Sequence, residues 1–472
     1  MSDTVTVSKV NEVFLKVDCD DGLAKELFEF FSFKVPNAKF MPSYRNRMWD
    51  GKVYLFSIKT HKIYIGLLPY VDEFCRERGY EFEGVHEVLG HKHKTKEFNI
   101  ADLNLPFEPR DYQLDAFHTA TKYGRQLLLS PTASGKSLII YMLARYYDCK
   151  TVIIVPTTSL VEQMYSDFED YGWSSGTYCQ RIYQGHERKV TKDVVISTWQ
   201  SLYKMPKAYF LDFGCVIGDE AHMFKAKSLT GIMTKLNQCK YRFGLTGTLD
   251  GTQTHQLVLE GLFGAVEKVV TTKQLIDKNT LAKLKIKCVI LKHNKIKEKM
   301  TYAEEMDYIV SKESRNNFIL DLCNTINGNT LCLFQLVEKH GKILYDGMKD
   351  KENVYFVYGG TDTDQREKIR GLVEGHARST TIASYGTFST GINIRNINNI
   401  VLASPSKSKI RVLQSIGRGL RTSSTKDSIL VYDIADDISY NERRNFTLNH
   451  FTERLNIYNE EQFDYDISKV KL

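Results

Sequence analysis

Ser130-Pro-Thr-Ala-Ser-Gly-Lys-Ser137 combines small residues, a lysine and a hydroxyl at the spacing of a phosphate-binding loop. The apolar run 127–129 precedes it and a helix-like run, 138–144, follows, so strand, loop and helix stand in the order such a loop requires. Backbone N–H groups and the positive end of the helix dipole would cradle phosphates, with Thr132, Ser134 and Gly135 in the cradle. The Lys136 amine would reach the β and γ oxygens, and the Ser137 hydroxyl would ligate Mg²⁺. Serine at 130 replaces the first glycine of the common pattern, and alanine at 133 reduces the loop's backbone freedom.

Gly218-Asp-Glu-Ala-His222 follows the apolar run 215–217, which puts two carboxylates at the C-terminal end of a buried strand, where α/β sheets place ligands. Adjacent carboxylates can divide labour. Asp219 would hold Mg²⁺, directly or through water, while Glu220 polarises an attacking water. Far downstream, Gln414-Ser-Ile-Gly-Arg-Gly-Leu-Arg421 spaces Arg418 and Arg421 for one helical face. Taken alone this is an ordinary basic helix. Brought against a γ-phosphate from a second domain, the pair would stabilise the spread charge of phosphoryl transfer.

Another chemistry is suggested near the start. Residues 31–67 hold seven Lys/Arg against one acid, Asp50, with eight aromatics interleaved. Basic side chains neutralise phosphates and aromatics stack on unpaired bases, so Arg45, Arg47 and Lys52 are candidate DNA contacts. Trp49 fits a packing anchor better, as a lone tryptophan of a small domain.

These groups need elements to hold them. The 472 residues, 42% hydrophobic, make room for roughly three domains of about 150 residues each, and rule out a disulfide scaffold or a disordered tail. The net charge of +7 is compatible with a polyanionic partner without demonstrating one. Nine cysteines with no Cys-x-x-Cys pair read as buried thiols in a reducing compartment. No apolar run approaches the roughly 20 residues of a membrane span, and the first residues lack a signal-peptide pattern. An intracellular, cytoplasmic protein without a membrane partner is expected.

Three regions separate on pattern. Residues 1–98 predict a small α+β domain with helices near 22–31 and 70–78, strands over 52–58 and 62–67, and a hairpin turn at Thr60 and His61. Alternation over 52–58 sets Val53, Leu55 and Ser57 on one face and Tyr54, Phe56 and Ile58 on the other, with at least one row buried. The basic stretch 90–96 reads as a connector. Over 99–280, apolar runs at 127–129, 151–155, 194–196 and 215–217 alternate with amphipathic stretches, the rhythm of buried parallel strands joined by helices. It resumes over 281–472, after a Lys-rich stretch at 283–299, with runs at 331–334, 354–357, 380–383, 400–402 and 429–432. The last 30 residues read as one or two amphipathic helices. The predicted fold class is α/β: two tandem domains with parallel sheets behind a small α+β domain.

On these motifs, in order from Arg110 to Arg421, the chain resembles the superfamily 2 helicases, whose two core domains are RecA-like. The resemblance implies that Tyr112-Gln113 reads adenine and that Val155-Pro-Thr-Thr158, with Thr157 and Thr158, and Ser197-Thr-Trp-Gln200, with Trp199, contact nucleic acid. Gly244-Leu-Thr-Gly-Thr248 looks like the motif that couples hydrolysis to domain movement, through Thr246, Thr248 and His222. Ala383-Ser-Tyr385 and Ser389-Thr-Gly-Ile-Asn393 resemble the motif linking nucleotide and strand, with Ser384 on DNA and Gly391 and Asn393 on the nucleotide; Asn393 stands where many relatives carry aspartate. Over its whole length, including Arg45-Asn-Arg47-Met-Trp-Asp-Gly51, the chain is similar to the UvsW-type DNA helicases of T4-like phages. That resemblance implies an ATP- and Mg²⁺-dependent enzyme acting on branched double-stranded and single-stranded DNA: fork regression, junction branch migration and R-loop dissociation, in recombination, repair and replication. Implied partners are RNA–DNA hybrids and single-strand-binding or recombination proteins. An RNA helicase, or a motor subunit serving a separate nuclease or recombination complex, are the alternatives.

Overall fold

The computed structural model describes residues 4–472 apart from 37, 85–97, 226, 295–299, 388–393, 395, 407, 421–425 and 441–442. The basic connector, Gly391, Asn393 and Arg421 therefore lie outside the described residues. The chain divides into two compact units, Met1–Ser130 with Gly135–Val269, and Val270–Leu472 with Pro131–Ser134.

The first unit opens with a small α+β region. Strands β1 (Thr4–Lys9), β2 (Phe14–Asp18), β5 (Phe56–Ser57), β6 (Lys62–Tyr64) and β7 (Glu81–Glu83) form one sheet in the order β5-β6-β2-β1-β7; β3 (Ser32–Lys34) and β4 (Lys52–Tyr54) form a separate antiparallel pair. Alternation in β1 and β2 turns Val5, Val7, Leu15 and Val17 inward, where helices Asp21–Phe30 and Leu68–Arg78 cover them with Leu23, Leu27, Val71 and Phe74. The Asp20 side chain caps the first helix by accepting from Leu23 N at 2.8 Å, and Gly79 at φ +74° ends the second.

The expected continuous strand over 52–58 is instead broken at Leu55, β4 pairing with β3 and β5 with β6. Leu55 and its neighbour Phe56 are both buried, while Tyr54 and Ile58 are exposed, so neither alternating row is buried as a set. The hairpin turn at Thr60 and His61 is present, with His61 at φ +52°.

The rest of the first unit is a seven-stranded, wholly parallel sheet: β8 (Arg125–Leu129), β9 (Thr151–Val155), β10 (Cys179–Ile182), β11 (Val194–Thr198), β12 (Cys215–Gly218), β13 (Tyr241–Thr246) and β14 (Val266–Lys268), in the order β10-β11-β9-β12-β13-β8-β14. The second unit repeats the plan with β15 (Lys283–Lys292), β16 (Asn329–Phe334), β17 (Val354–Val357), β18 (Ser379–Ser384), β19 (Asn399–Leu402), β20 (Ser428–Asp437) and β21 (Tyr465–Lys471), ordered β17-β18-β16-β19-β20-β15-β21 and again all parallel. Both are RecA-like sheets. β8, β9, β11, β12, β16, β17, β18, β19 and β20 fall on the runs read from sequence.

Two expectations in this unit are corrected. Much of the Lys-rich stretch is β15, whose lysines alternate with Leu284 and Ile286 before a buried Cys-Val-Ile-Leu run. The tail is one helix, Phe446–Glu460, followed by a strand, β21, that pairs with β15. Among the described residues no helix is long and apolar enough to cross a membrane.

Candidate active site

Because the first unit's large sheet is wholly parallel, the ends of its strands share one edge. The loops at that edge follow β8, β9, β11, β12 and β13, and they carry the phosphate loop, Thr157 and Thr158, Trp199, Asp219 to His222, and Thr246 to Thr248. β13 lies between β8 and β12, so Thr246 stands between the phosphate loop and the acidic turn. Ser130 N donates to Thr246 O at 2.9 Å. From the other side, His222 Nδ1 lies 3.0 Å from Thr246 Oγ1 and 3.2 Å from Glu220 Oε2. Thr246 Oγ1 donates to Thr248 O at 3.1 Å. With that hydroxyl hydrogen engaged, and Glu220 able only to accept when ionised, the geometry calls for a hydrogen on His222 Nδ1.

The phosphate loop turns through two left-handed residues, Ala133 at φ +66° and Gly135 at φ +79°. Within it, Ser134 Oγ donates to Pro131 O at 2.7 Å, and Thr132 is half-buried. Gln113 backs the loop: its Oε1 accepts from Arg110 N at 2.9 Å, and its amide is so close that a Cβ on Gly135 would stand 2.4 Å from Nε2. Any other residue there would be strained at this φ and would push the Gln113 amide aside. Lys136 Nζ donates to Ser130 O at 3.3 Å, and Ser137 Oγ is 2.7 Å from the Tyr171 hydroxyl.

Asp219 is buried, its N–H on Ile154 O at 3.0 Å, and its Oδ1 accepts from Glu220 N at 2.9 Å. Glu220 sits at φ +49°, a left-handed conformation that a glutamate rarely adopts. Burial, reinforced by the Glu220 carboxylate, pushes the Asp219 carboxyl above its usual range, against the pull of the Lys136 amine. Two neighbouring carboxylates in this position favour a cation. Among the described residues no group of three or more His, Cys, Asp or Glu could hold a metal alone. The oxygen donors Ser137 and Asp219 fit a divalent ion that brings phosphate ligands with it.

The other sequence-predicted residues are placed as follows. Thr157 caps helix Thr158–Asp170, accepting from Leu160 N at 3.3 Å, and Thr158 is exposed. Trp199 opens helix Trp199–Leu202 and packs half-buried on the core. In the second unit, Ser384 ends β18, buried, with its hydroxyl 2.7 Å from Thr387 Oγ1. Arg418 lies in the last turn of helix Lys409–Gly419, which ends before residue 421. In the small N-terminal region Arg45 and Arg47 are exposed, Lys52 is half-buried, and Trp49 Nε1 donates to Lys52 O at 2.7 Å.

Sequence reading missed three residues. Tyr171 meets Ser137, and His255 and Asp250 meet behind His222, with His255 Nε2 2.9 Å from His222 O and His255 Nδ1 2.8 Å from Asp250 Oδ1. Thr252, three residues before His255, is a legible helix cap, but no spacing marks the ring itself.

Comparison with known proteins finds three family models along the chain: "DNA helicase UvsW, N-terminal" over residues 7–83, "Type III restriction enzyme, res subunit" over 106–251 and "Helicase conserved C-terminal domain" over 302–423. The ATP-dependent DNA helicase uvsW of Enterobacteria phage T4 is 35% identical over 97% of this chain and 98% of its own length. The crystal structure of T4 UvsW matches with 32% identity and a TM-score of 0.51, covering 99% of each chain. The ATP-dependent Type ISP restriction-modification enzyme LlaBIII bound to DNA shares the fold over 84% of this chain and 34% of its own, at 13% identity and a TM-score of 0.56.

Proposed function

The chain belongs to the UvsW family of ATP-dependent DNA helicases, and from that premise we propose that it remodels branched DNA by fork regression, junction branch migration and R-loop dissociation, in recombination, repair and replication. One observation carries the reading most strongly: a phosphate loop and an acidic turn, buried Asp219 beside Glu220, share one sheet edge, bridged by Thr246.

In the proposed mechanism the loop's N–H groups, with Thr132, Ser134, Gly135 and Lys136, hold the β and γ phosphates, and Gln113 reads the adenine. Mg²⁺, held by Ser137 and Asp219, would neutralise charge on those phosphates. Glu220 accepts a proton from the attacking water. Arg418 and Arg421 stabilise the charge that spreads over the transferring phosphoryl group, and Gly391 and Asn393 complete the nucleotide contacts. His222, Thr246 and Thr248 relay whether the γ-phosphate is present. Asp219, Lys136 and Ser137 thus bind and orient, while Glu220 moves the proton.

DNA is gripped by Thr157, Thr158, Trp199 and Ser384 in the helicase core and by Arg45, Arg47 and Lys52 in the N-terminal region. Exposed Phe40 and Met48 flank those basic residues, a mixture suited to backbone neutralisation and base stacking. We place residues 1–98, 99–280 and 281–472 as DNA-recognition, first helicase and second helicase domains. The expected setting is the host cytoplasm, with single-strand-binding or recombination proteins as partners. Conversion of a synthetic four-way DNA junction to forked products, dependent on ATP and absent in Glu220→Gln, tests the reading. Conversion of an RNA duplex alone would move the protein to RNA substrates, and DNA-stimulated hydrolysis without conversion would make it a motor that needs a partner.

A further inference from the structure

Two parts of the first unit meet on one helix, Gln253–Phe263. At its start His255 is buried, with Nε2 2.9 Å from the carbonyl oxygen of His222. A carbonyl only accepts, so Nε2 carries the hydrogen. Asp250 fixes the ring from behind: its backbone N–H donates to His255 Nδ1 at 3.2 Å, and its Oδ1 accepts from Thr252 N at 3.0 Å and Thr252 Oγ1 at 2.7 Å. Thr252 caps the helix by accepting from His255 N at 3.3 Å. The turn bearing Glu220 and His222 is thereby tied to the end of β13 through the His222 ring and to the helix start through the His222 carbonyl.

The far half of the same helix carries the N-terminal region. Leu257 belongs to the hydrophobic core that contains Val5, Leu15, Phe31 and Val71, with Val258 packed against it. Glu260, also buried, accepts from the Tyr70 hydroxyl at 2.6 Å and from Gln256 Nε2 at 2.6 Å. The backbones approach so closely that a Cβ on Gly66 would stand 1.9 Å from Glu260 O, and one on Gly261 would stand 2.9 Å from Tyr64 Cβ. About 7.5 Å of helix, at 1.5 Å per residue, separates His255 from Glu260. Packing this close transmits small displacements instead of absorbing them.

We propose that His255 is a positioning residue of the hydrolytic centre, and that helix Gln253–Phe263 makes hydrolysis sensitive to how the N-terminal region is held. A load on that region shifts the helix, and His255 passes the shift to the His222 carbonyl and so to the groups on the His222 ring, Glu220 and Thr246. The inference rests on the assignment of Glu220 as the hydrolytic base.

The test is steady-state ATP hydrolysis by the full chain with and without DNA, with melting curves for every variant. The set is His255→Ala, His255→Gln, Asp250→Asn, Tyr70→Phe and the double variant Tyr70→Phe/His255→Ala. His255→Ala should lower kcat about tenfold with KM for ATP held within about twofold, the pattern of a displaced reacting group. His255→Gln, which keeps an N–H toward His222 O, should recover much of the loss, and Asp250→Asn should show a smaller fall of the same kind. Tyr70→Phe should cut DNA-stimulated turnover severalfold and leave DNA-independent turnover unchanged. In the His255→Ala background, Tyr70→Phe should add nothing. Wild-type kcat in His255→Ala with native melting would overturn the proposal, as would Tyr70→Phe acting by the same factor in both backgrounds. If His255→Ala melts early, Asp250→Asn and Tyr70→Phe decide the matter, and wild-type rates in both reject it. Glu220→Gln assayed beside them separates the two failures: normal turnover there sinks the catalytic assignment, whereas its loss together with additive Tyr70 and His255 effects sinks the coupling alone.

Discussion

Glu220 illustrates how the local chain sets up chemistry. Its left-handed backbone turns the side chain toward His222 and leaves its own N–H on Asp219, so neighbouring carboxylates serve different partners. Glu220→Gln should retain ATP binding and lose turnover by about 10² to 10⁴, the range of a general base, as read by nucleotide binding beside phosphate release. Arg421→Ala should likewise bind ATP while losing rate by orders of magnitude. Tyr171 makes a different prediction. Its hydroxyl, pushed up to about 12 by burial, stays protonated and holds Ser137 Oγ at 2.7 Å. Where the Tyr171 O–H donates, it takes a lone pair of Ser137 Oγ and competes with Mg²⁺ for that oxygen, a bond worth about 0.5 to 1.5 kcal/mol net. Tyr171→Phe should therefore lower KM for ATP about two- to tenfold at unchanged kcat. A raised KM would show that Tyr171 supports the loop instead.

At the scale of elements, strands with unbroken apolar runs were legible in the sequence, and those that mix polarity were not. β13 holds Arg242 fully buried; its guanidinium donates to the carbonyls of Leu262, Leu236 and Met233 at 2.8–3.0 Å, and burial pulls its pKa down to about 10. No one-dimensional pattern announces three carbonyls from two helices and a loop. β15 hid behind alternating lysines and β21 behind a charged tail, because their partners lie about 145 and 180 residues away in sequence, beyond any local period. The phosphate loop and the acidic turn were legible because each is contiguous; His255 and Asp250 act through distant contacts. The tail helix is fastened by Arg454, whose guanidinium meets the Asp433 carboxylate at 2.7–3.0 Å and Ser406 O at 2.9 Å, while Tyr458 donates to Asp433 at 2.8 Å. Arg454→Met leaves Asp433 buried without its cation and should cost about 3 to 5 kcal/mol, seen as a lower urea midpoint. A change within about 0.5 kcal/mol would show that the tail is dispensable to the domain.

Across the whole molecule, pH acts on a buried cluster in the second unit. Burial, with the nearby Arg315 cation, pulls His340 down to about 3, so the folded chain keeps it neutral while the unfolded chain protonates it below about 6.5. The unfolded state then binds more protons between those values, and stability falls as pH is lowered through that window by up to about 1.4 kcal/mol per unit. Asp436, whose burial is outweighed by Arg315 and His293, is held below the usual carboxylate range and adds loss in the same direction under about pH 4. The melting temperature should drop from pH 7 to pH 5, and His340→Asn should flatten the drop; an equally steep profile in that variant would assign the sensitivity elsewhere. The motor function is tested most directly by mixing the full chain with a synthetic four-way DNA junction and ATP, with Glu220→Gln and a matched RNA duplex alongside. Forked DNA products that require both ATP and Glu220, with the RNA duplex left intact, are the expected result. An unchanged junction under vigorous DNA-stimulated hydrolysis, or opening of the RNA duplex alone, would contradict a branched-DNA motor.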